Sequence, residues 1–586
     1  MMNTLSLSEN LSLSRAITSV SCNPHSCRSC LRSKFRLIPA VSRRIRLRTS
    51  LPAVPGLRSS LAQRPVSVPA VAEHKTTQAS DEVEDSSQVQ TLLQWLAIQG
   101  VEDLQEEDCK LGVYNAEKGE RGILSLQDIE AGTTVLHLPL RLAITDHTQD
   151  HESNDLVFED APWSLRLACK LLREKAKGSA SSWHPYLQVL PQHVPSPLVS
   201  FTWEDMQAIE VPDMIQQLHH ASWLLSDAFP RLSPEATGNA SREDLEWAVS
   251  IVHSRTFGTP AKEGGTAVHM LLPLVDFLNH SGDECECFPG DRAVPTANVR
   301  WHLVAPPTEN PSQGFKMHLV AREDIPQGQE LLLSYGDRNN DDFFLHYGFV
   351  PLRNPHDDTV LFQDLDEALD WHYDQFPPEG LREEAARQLY QEAVEAGLAQ
   401  EQPPAPEDHL TASMQEQEQK LRVYPGALVD GRLIAAYQHL AKSQGQEALS
   451  AVAAVAARCR QLLAAMTPLP DDLKALAADP WTEQDDRWYF VALAQHYGLA
   501  IQKQQQLQDA VQSNIADLPT PAESMSSYAD AQQSEQSPAS EQSEPKGVTT
   551  AEDSQAGVLS AAKRLALTYR SQKKMLLWDV VFSLQP

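Results

Sequence analysis

The chain has 586 residues, 41% of them aliphatic or aromatic, and a formal charge of −31. That length exceeds one domain and supplies apolar side chains for sizeable cores, but no run of about 18 apolar residues suggests a membrane span. The acidic balance argues against a general nucleic-acid binder, which needs a basic footprint to displace counterions.

Charge is spread unevenly. Between Met1 and Ala72 eleven Arg or Lys stand against one acid, Glu9, in Ser- and Pro-rich text without helical or strand period. This is the composition of an organelle transit peptide, so residues 1–72 are predicted to lie outside the fold, with cleavage between Ser50 and Ala79. A basic arm without a targeting role is the alternative. Residues 73–88 read as a polar linker. Cys22, Cys27 and Cys30 belong to the leader; Cys109, Cys169, Cys285, Cys287 and Cys459 are odd in number and scattered, which fits a reducing compartment without a disulfide framework. Cys285-Glu286-Cys287 has no further Cys/His pair at zinc-finger spacing, so no metal is expected.

Val89–Gly100 carries apolar residues at helical spacing and ends on a stop glycine. Short strands are predicted at Leu111–Asn115, Arg121–Ser125 and Thr133–Pro139, separated by turns at Gly119, Gly122 and Ala131-Gly132. From Ala161 to His253 the period becomes helical (Leu165, Ala168, Leu171, Leu172; Trp203, Met206, Ile209; Leu224, Leu225, Ala228), and His184 and His193 read as turn or surface histidines. An aliphatic run with Asp276 inside it then meets an Asn279-His280-Ser281 corner, and strands follow at Val299–Val304 and Phe315–Ala321. The run Leu331–Leu333 ends in Ser334-Tyr335-Gly336, with Tyr347-Gly348-Phe349 close behind. Beyond Arg353 the text is helical to about Leu507, with Trp371, Tyr373, Leu389, Leu421, Leu433, Tyr437, Leu462 and Leu493 as candidate core. Residues 513–555 are rich in Ser, Gln, Glu and Pro and are expected to be disordered. Helical text returns at Val558–Phe582.

Leu271–Cys287 (LLPLVDFLNHSGDECEC) and Leu331–Pro351 (LLLSYGDRNNDDFFLHYGFVP) resemble the two signature segments of SET-domain lysine methyltransferases, in the branch typified by the Rubisco large-subunit enzymes. SSWHPYLQVLP (Ser181–Pro191) is similar to that branch's helical insert, and Ala561–Leu576 to the last helix of its substrate-binding domain. The resemblance implies an α+β fold: a SET domain over 89–352 with a helical insert at about 150–255, then an all-helical substrate-binding lobe over 353–586. It implies S-adenosyl-L-methionine as methyl donor and a lysine side chain of a protein as acceptor, with no nucleic-acid partner.

Residue by residue, the resemblance assigns Gly119, Glu120, Arg121, Arg255, Asn279, His280 and Tyr335 to the donor, with Tyr335 at the reacting centre. Arg255, Asp276, Tyr347 and Phe349 are assigned to the substrate lysine. Simpler readings stand beside several of these. Arg255 at a helix C-terminus also complements the macrodipole, Asp276 also reads as a hydrogen-bonded strand-end acid, and Phe349 as packing. The chain departs from the family at Asn339–Phe344, where Ser-Asn-x-Glu-Leu-Leu is common, and at Thr259, where a second Arg is common. With the leader, the expectation is a protein-lysine methyltransferase of the chloroplast acting on the Rubisco large subunit or a stromal aldolase. A non-catalytic plastid scaffold that keeps the fold is the alternative.

Overall fold

The computed structural model describes residues 45–46, 87–104, 109–115, 121–146, 156–259, 267–282, 296–308, 314–352, 354–378, 380–399, 418–445, 449–480, 482, 484–516 and 559–583. The first helix, Ser87–Ile98, buries Val89, Leu92 and Leu96 and stops at Gly100, whose φ of +88° suits a residue without a Cβ. Leu111–Asn115 and Arg121–Ser125 form an antiparallel hairpin, Leu111 opposite Ser125.

A five-stranded sheet follows in the spatial order Thr134–Pro139, Lys316–Ala321, Val299–Val304, Leu332–Leu333, Asn279–His280. Its first three strands are antiparallel neighbours. Leu332–Leu333 runs parallel to Asn279–His280, with Leu332 opposite Asn279 and Leu333 opposite His280. That register puts Tyr335 just past the corner that His280 closes. A three-stranded sheet (Ile144–Thr145, His269–Leu271, Thr256–Gly258) joins the end of the helical insert to the run before Asp276.

The insert contains helices Trp163–Ala176, Pro212–Ala228 and Arg242–Arg255 with shorter turns between them. Arg242–Arg255 starts at a capping box: the Ser241 hydroxyl accepts from the Asp244 amide and the Asp244 carboxylate from the Ser241 amide. Such a cap contributes on the order of 1 kcal/mol and sets where the helix begins, hence where Arg255 ends it. Leu171, Leu172, Ala248, Ile251 and Val252 from the insert share one apolar core with Leu136, Leu138, Met317 and Leu319 of the sheet.

The C-terminal lobe differs from the all-helical expectation. It has seven helices of ten or more residues among the described ones, but Thr359–Phe362, Leu421–Tyr424 and Leu428–Val429 form an antiparallel sheet within it. Leu421–Tyr424 is buried at all four positions. Four residues rich in β-branched and aromatic types, buried on both faces, are too few for a helix and satisfy their backbone in a sheet instead. Ile45–Arg46, within the predicted leader, pairs with Leu428–Val429 at its edge.

Leu389, Leu421, Leu433 and Tyr437 are core residues, whereas Tyr373 is 44% exposed. Helix Gln484–Ala516 runs four residues into the tract expected to be disordered, and the rest of that tract lies outside the described residues. The terminal helix, Ala561–Ser583, serves three apolar clusters. Leu577 and Val581 enter that of the small sheet, Leu567 and Met575 that of Tyr489 and Phe490, and Ala566 and Tyr569 that of Ile209, Met214 and Phe344. Among the described residues no helix is long and apolar enough to cross a membrane.

Candidate active site

Asn279, His280 and Tyr335 meet where the two short parallel strands end. The Asn279 side-chain amide donates to Glu330 Oε1 at 2.8 Å, the Arg121 carbonyl at 3.1 Å and the Tyr114 hydroxyl at 3.4 Å, and none of these bonds uses its own carbonyl oxygen. Tyr114 also donates to Glu330 Oε1, at 2.8 Å, so this carboxylate orients both groups. His280 Nδ1 accepts the Tyr335 backbone N–H at 3.2 Å, which places any ring proton on Nε2. The Tyr335 hydroxyl donates to the Leu278 carbonyl at 2.7 Å. Burial raises its pKa, so the phenol stays protonated and its lone pairs remain free to accept.

Aromatic rings converge on this corner. Tyr335 stacks on Tyr347 with centroids 5.2 Å apart, and His280 lies 5.0 Å from Tyr335, 4.6 Å from Phe343 and 6.1 Å from Phe349. Phe343–Tyr347 forms one π-helical turn, a widened geometry found often at functional sites. It stops at Gly348 (φ +73°), where an added Cβ would lie 1.7 Å from the Pro195 carbonyl oxygen. Arg338 joins the parts: its Nε donates to the Tyr335 carbonyl at 3.1 Å, and its guanidinium sits 5.6 Å from the Tyr347 ring centroid. Phe349 is half-buried in this ring cluster, so the packing and channel readings describe one position.

Asp276 is within electrostatic reach of Tyr335, its side chain 0% exposed. Arg255 Nη1 donates to its backbone carbonyl at 2.8 Å and approaches its carboxylate at 3.4 Å; the Tyr186 hydroxyl donates to the same carboxylate oxygen at 3.0 Å. Asp276 Oδ1 and Arg255 Nε are buried without a partner. Burial raises the Asp276 carboxyl above the ordinary range, against the opposing pull of Arg255 and Arg121. Two residues earlier Leu274 is fully buried at φ +72°, a conformation that costs a non-glycine residue on the order of 1–3 kcal/mol and is held here by its surroundings.

The structure thus brings together Arg255, Asp276, Asn279, His280, Tyr335, Tyr347 and Phe349. Arg121 meets Asn279 through its backbone carbonyl, while its guanidinium stacks on Phe277 at 3.5 Å, donates to the Val189 carbonyl at 2.8 Å and acts on Asp276 by its charge. Gly119 and Glu120 lie outside the described residues, as do Cys285 and Cys287. Sequence reasoning missed Tyr186, Glu330, Tyr114, Phe343 and Arg338. Tyr186 sits in SSWHPYLQVLP, which the sequence marked only by its similarity to a helical insert, and its hydroxyl meets Asp276 because the insert folds back over the sheet. Glu330 could have been suspected as an acid directly before a buried aliphatic strand.

The SET-domain family model matches residues 120–336, a span that contains this corner. The chain carries a SET domain. The chain is 25% identical over 264 residues to the actin-histidine N-methyltransferase of Mus musculus, covering 40% of this chain and 39% of that one. The Homo sapiens actin-histidine N-methyltransferase matches at the same identity, length and coverage. The chain therefore spans about two-fifths of the length of these curated relatives. Among solved structures it is similar to the SET domain of LSMT bound to lysine and AdoHcy, with a TM-score of 0.47 at 17% identity over 75% of this chain and 98% of that one. Rubisco LSMT bound to AdoMet scores 0.45 at 16% identity, with the same coverage.

Proposed function

We propose that this protein transfers a methyl group from S-adenosyl-L-methionine to the ε-amine of a lysine on a plastid protein. The observation that carries the reading is Tyr335, its hydroxyl held by the Leu278 carbonyl at 2.7 Å and its ring among those of His280, Tyr347 and Phe349, within electrostatic reach of the buried Asp276. The residues fit the donor. The Asn279 carbonyl, not used by the bonds of its own amide, offers a polar atom for the donor's amino-acid end, and when bound the donor supplies an electrophilic methyl on a sulfonium. The chain's own part is desolvation, alignment and oxygen acceptors. A free lysine has a pKa near ~10.4, and ring walls that exclude water favour its neutral, nucleophilic form. Ring walls around Tyr335 restrict the amine's line of approach, and the buried, unpartnered Asp276 Oδ1 supports a carboxylate role towards the amine in this reading. The phenol oxygen of Tyr335 and the carbonyl of Leu278 give weak CH···O acceptors at the reacting centre, each worth about 0.5–1 kcal/mol.

The second reading, methylation of a histidine, is favoured by the activity named for the curated relatives. The two acceptors differ in pH dependence. An imidazole is neutral above pH ~7, so its kcat/KM levels off there, whereas a lysine's continues to rise towards the lowered amine pKa. Label from the donor in a stromal extract, followed by identification of the methylated residue by mass spectrometry, decides between them. A profile flat from neutral pH upward with methylhistidine as product replaces lysine by histidine. Donor binding with no acceptor in any extract leaves the scaffold reading. The plastid assignment rests on the leader's composition, and import of a residue 1–79 fusion into isolated chloroplasts tests it. The Rubisco large subunit and stromal aldolase are the first substrates to try.

A further inference from the structure

Five consecutive polar residues of the terminal helix, Arg570, Ser571, Gln572, Lys573 and Lys574, are all buried, the two lysines 1% and 0% exposed. Buried ammonium groups persist only where carboxylates and carbonyls replace water. Here the helix has two separate sets of partners. Arg570 and Lys574 face Glu210 of the insert and Asp472 of a neighbouring helix; Lys574 Nζ lies 2.9 Å from the first and 2.7 Å from the second. Lys573 faces a different place. Its Nζ sits 2.6 Å from Asp341 Oδ1, 2.7 Å from Asp357 Oδ1 and 2.6 Å from the Asp358 carbonyl.

Asp341 stands two residues before the π-turn of the ring cluster. It also accepts the Tyr569 hydroxyl at 2.7 Å, while the Tyr569 ring stacks on Phe344 of that turn at 4.4 Å. Asp357 takes both the backbone and the side-chain N–H of Asn340, each at 3.0 Å. The segment Asn339–Asp342 is therefore gripped from the terminal helix, and the turn it launches is pinned on its other side by Gly348 against Pro195. Between these two anchors hang Phe343, 4.6 Å from His280, and Tyr347, stacked on Tyr335.

We propose that Lys573 is a positioning residue for methyl transfer: through Asp341 and Asp357 it fixes the turn that places Phe343 and Tyr347 against His280 and Tyr335, although it touches neither donor nor acceptor. The terminal helix is then part of the channel's construction as well as part of a docking lobe. The kinetic half of this inference rests on the methyl-transfer reading. The geometric half does not.

The test compares Lys573→Met with Lys574→Met in the full chain. The two side chains are adjacent, equally buried and equally paired, but only Lys573 reaches the turn. Tyr569→Phe is the gentler companion, since it deletes only the hydroxyl bond to Asp341 and keeps the ring on Phe344. Measured together are the thermal midpoint, donor affinity by calorimetry, kcat on the protein acceptor, and the [13C]histidine resonance of His280, which reports its ring neighbours. Misplacing a reacting group by about 1 Å can cost on the order of 10²-fold. Lys573→Met should accordingly lower kcat by one to two orders of magnitude and shift the His280 resonance, with donor affinity kept within a factor of about three. Tyr569→Phe should show the same pattern in smaller measure, and Lys574→Met should lose stability alone. Equal loss of kcat in both lysine variants, or a His280 resonance unmoved in Lys573→Met and Tyr569→Phe, overturns the proposal. If wild type binds donor but methylates nothing, the methyl-transfer reading fails while the His280 resonance still decides the positioning role. If both lysine variants fail to fold, Tyr569→Phe decides it by the same two readouts.

Discussion

Tyr186→Phe removes one hydroxyl from the middle of the SET core and leaves the ring in place. In the wild type that hydroxyl donates to Asp276 Oδ2 at 3.0 Å, where the other approach is Arg255 Nη1 at 3.4 Å, and Oδ1 already lacks a partner. The variant's carboxylate therefore retains a single long contact in a site with no exposure. A hydrogen bond to a buried charged group is worth about 1.5–3 kcal/mol, and an acceptor left unsatisfied adds desolvation cost, so a loss of about 2–3 kcal/mol is expected. At 2–4 °C per kcal/mol for a domain of 150–250 residues, the melting temperature should fall by roughly 4–12 °C. The loss has a signed pH dependence. The deleted bond stabilises ionised Asp276, so the difference between variant and wild type should be largest near neutral pH and shrink as pH falls through the Asp276 pKa, which burial holds above the ordinary value. Urea unfolding of both proteins across that range measures it. A difference below about 0.5 kcal/mol, or one that does not vary with pH, would refute the account of Asp276 as a carboxylate held by Tyr186 and Arg255.

Glu330→Ala should weaken donor binding about tenfold, roughly 1.4 kcal/mol, because the Asn279 amide and the Tyr114 hydroxyl lose their shared acceptor; calorimetry on a folded variant checks it. Gly348→Ala should abolish soluble expression or transfer, since its Cβ would meet the Pro195 carbonyl at 1.7 Å in a left-handed conformation; far-UV circular dichroism separates the two outcomes. Asp579, beside the Tyr497 hydroxyl at 2.9 Å, is pushed up by burial to about 6. Its folded pKa exceeds the unfolded value of about 3.9, so wild-type stability from this group is greatest below that value and declines as pH rises towards 6. Asp579→Asn should remove the decline, read as the difference in urea midpoint between the two proteins across the same range.

Read alone, the sequence was enough to set out the hairpin and strands before the insert, the helical period of the insert, the Asn279-His280 corner and the strand that delivers Tyr335. Each of these is a local matter: an apolar period, a turn residue, or a short segment that resembles a family's signature. The stop glycine at 100 is of the same kind, because a helix-ending glycine is legible where the apolar period ends. Tertiary structure decided the rest. Thr359–Phe362 and Leu421–Tyr424 became strands because a partner buries both their faces, and four residues have too little period to show that in advance. Tyr186 became a ligand of Asp276 through a contact 90 residues away in sequence. Arg-Ser-Gln-Lys-Lys in the terminal helix looks, residue by residue, like a solvated stretch, although five consecutive positions go right round the helix. It is buried because carboxylates from the insert, from the segment after the SET core and from a neighbouring helix converge on it. Charge pairing across such separations leaves no periodic trace in the chain, since an ammonium's cost of burial is set by partners that only the fold assembles.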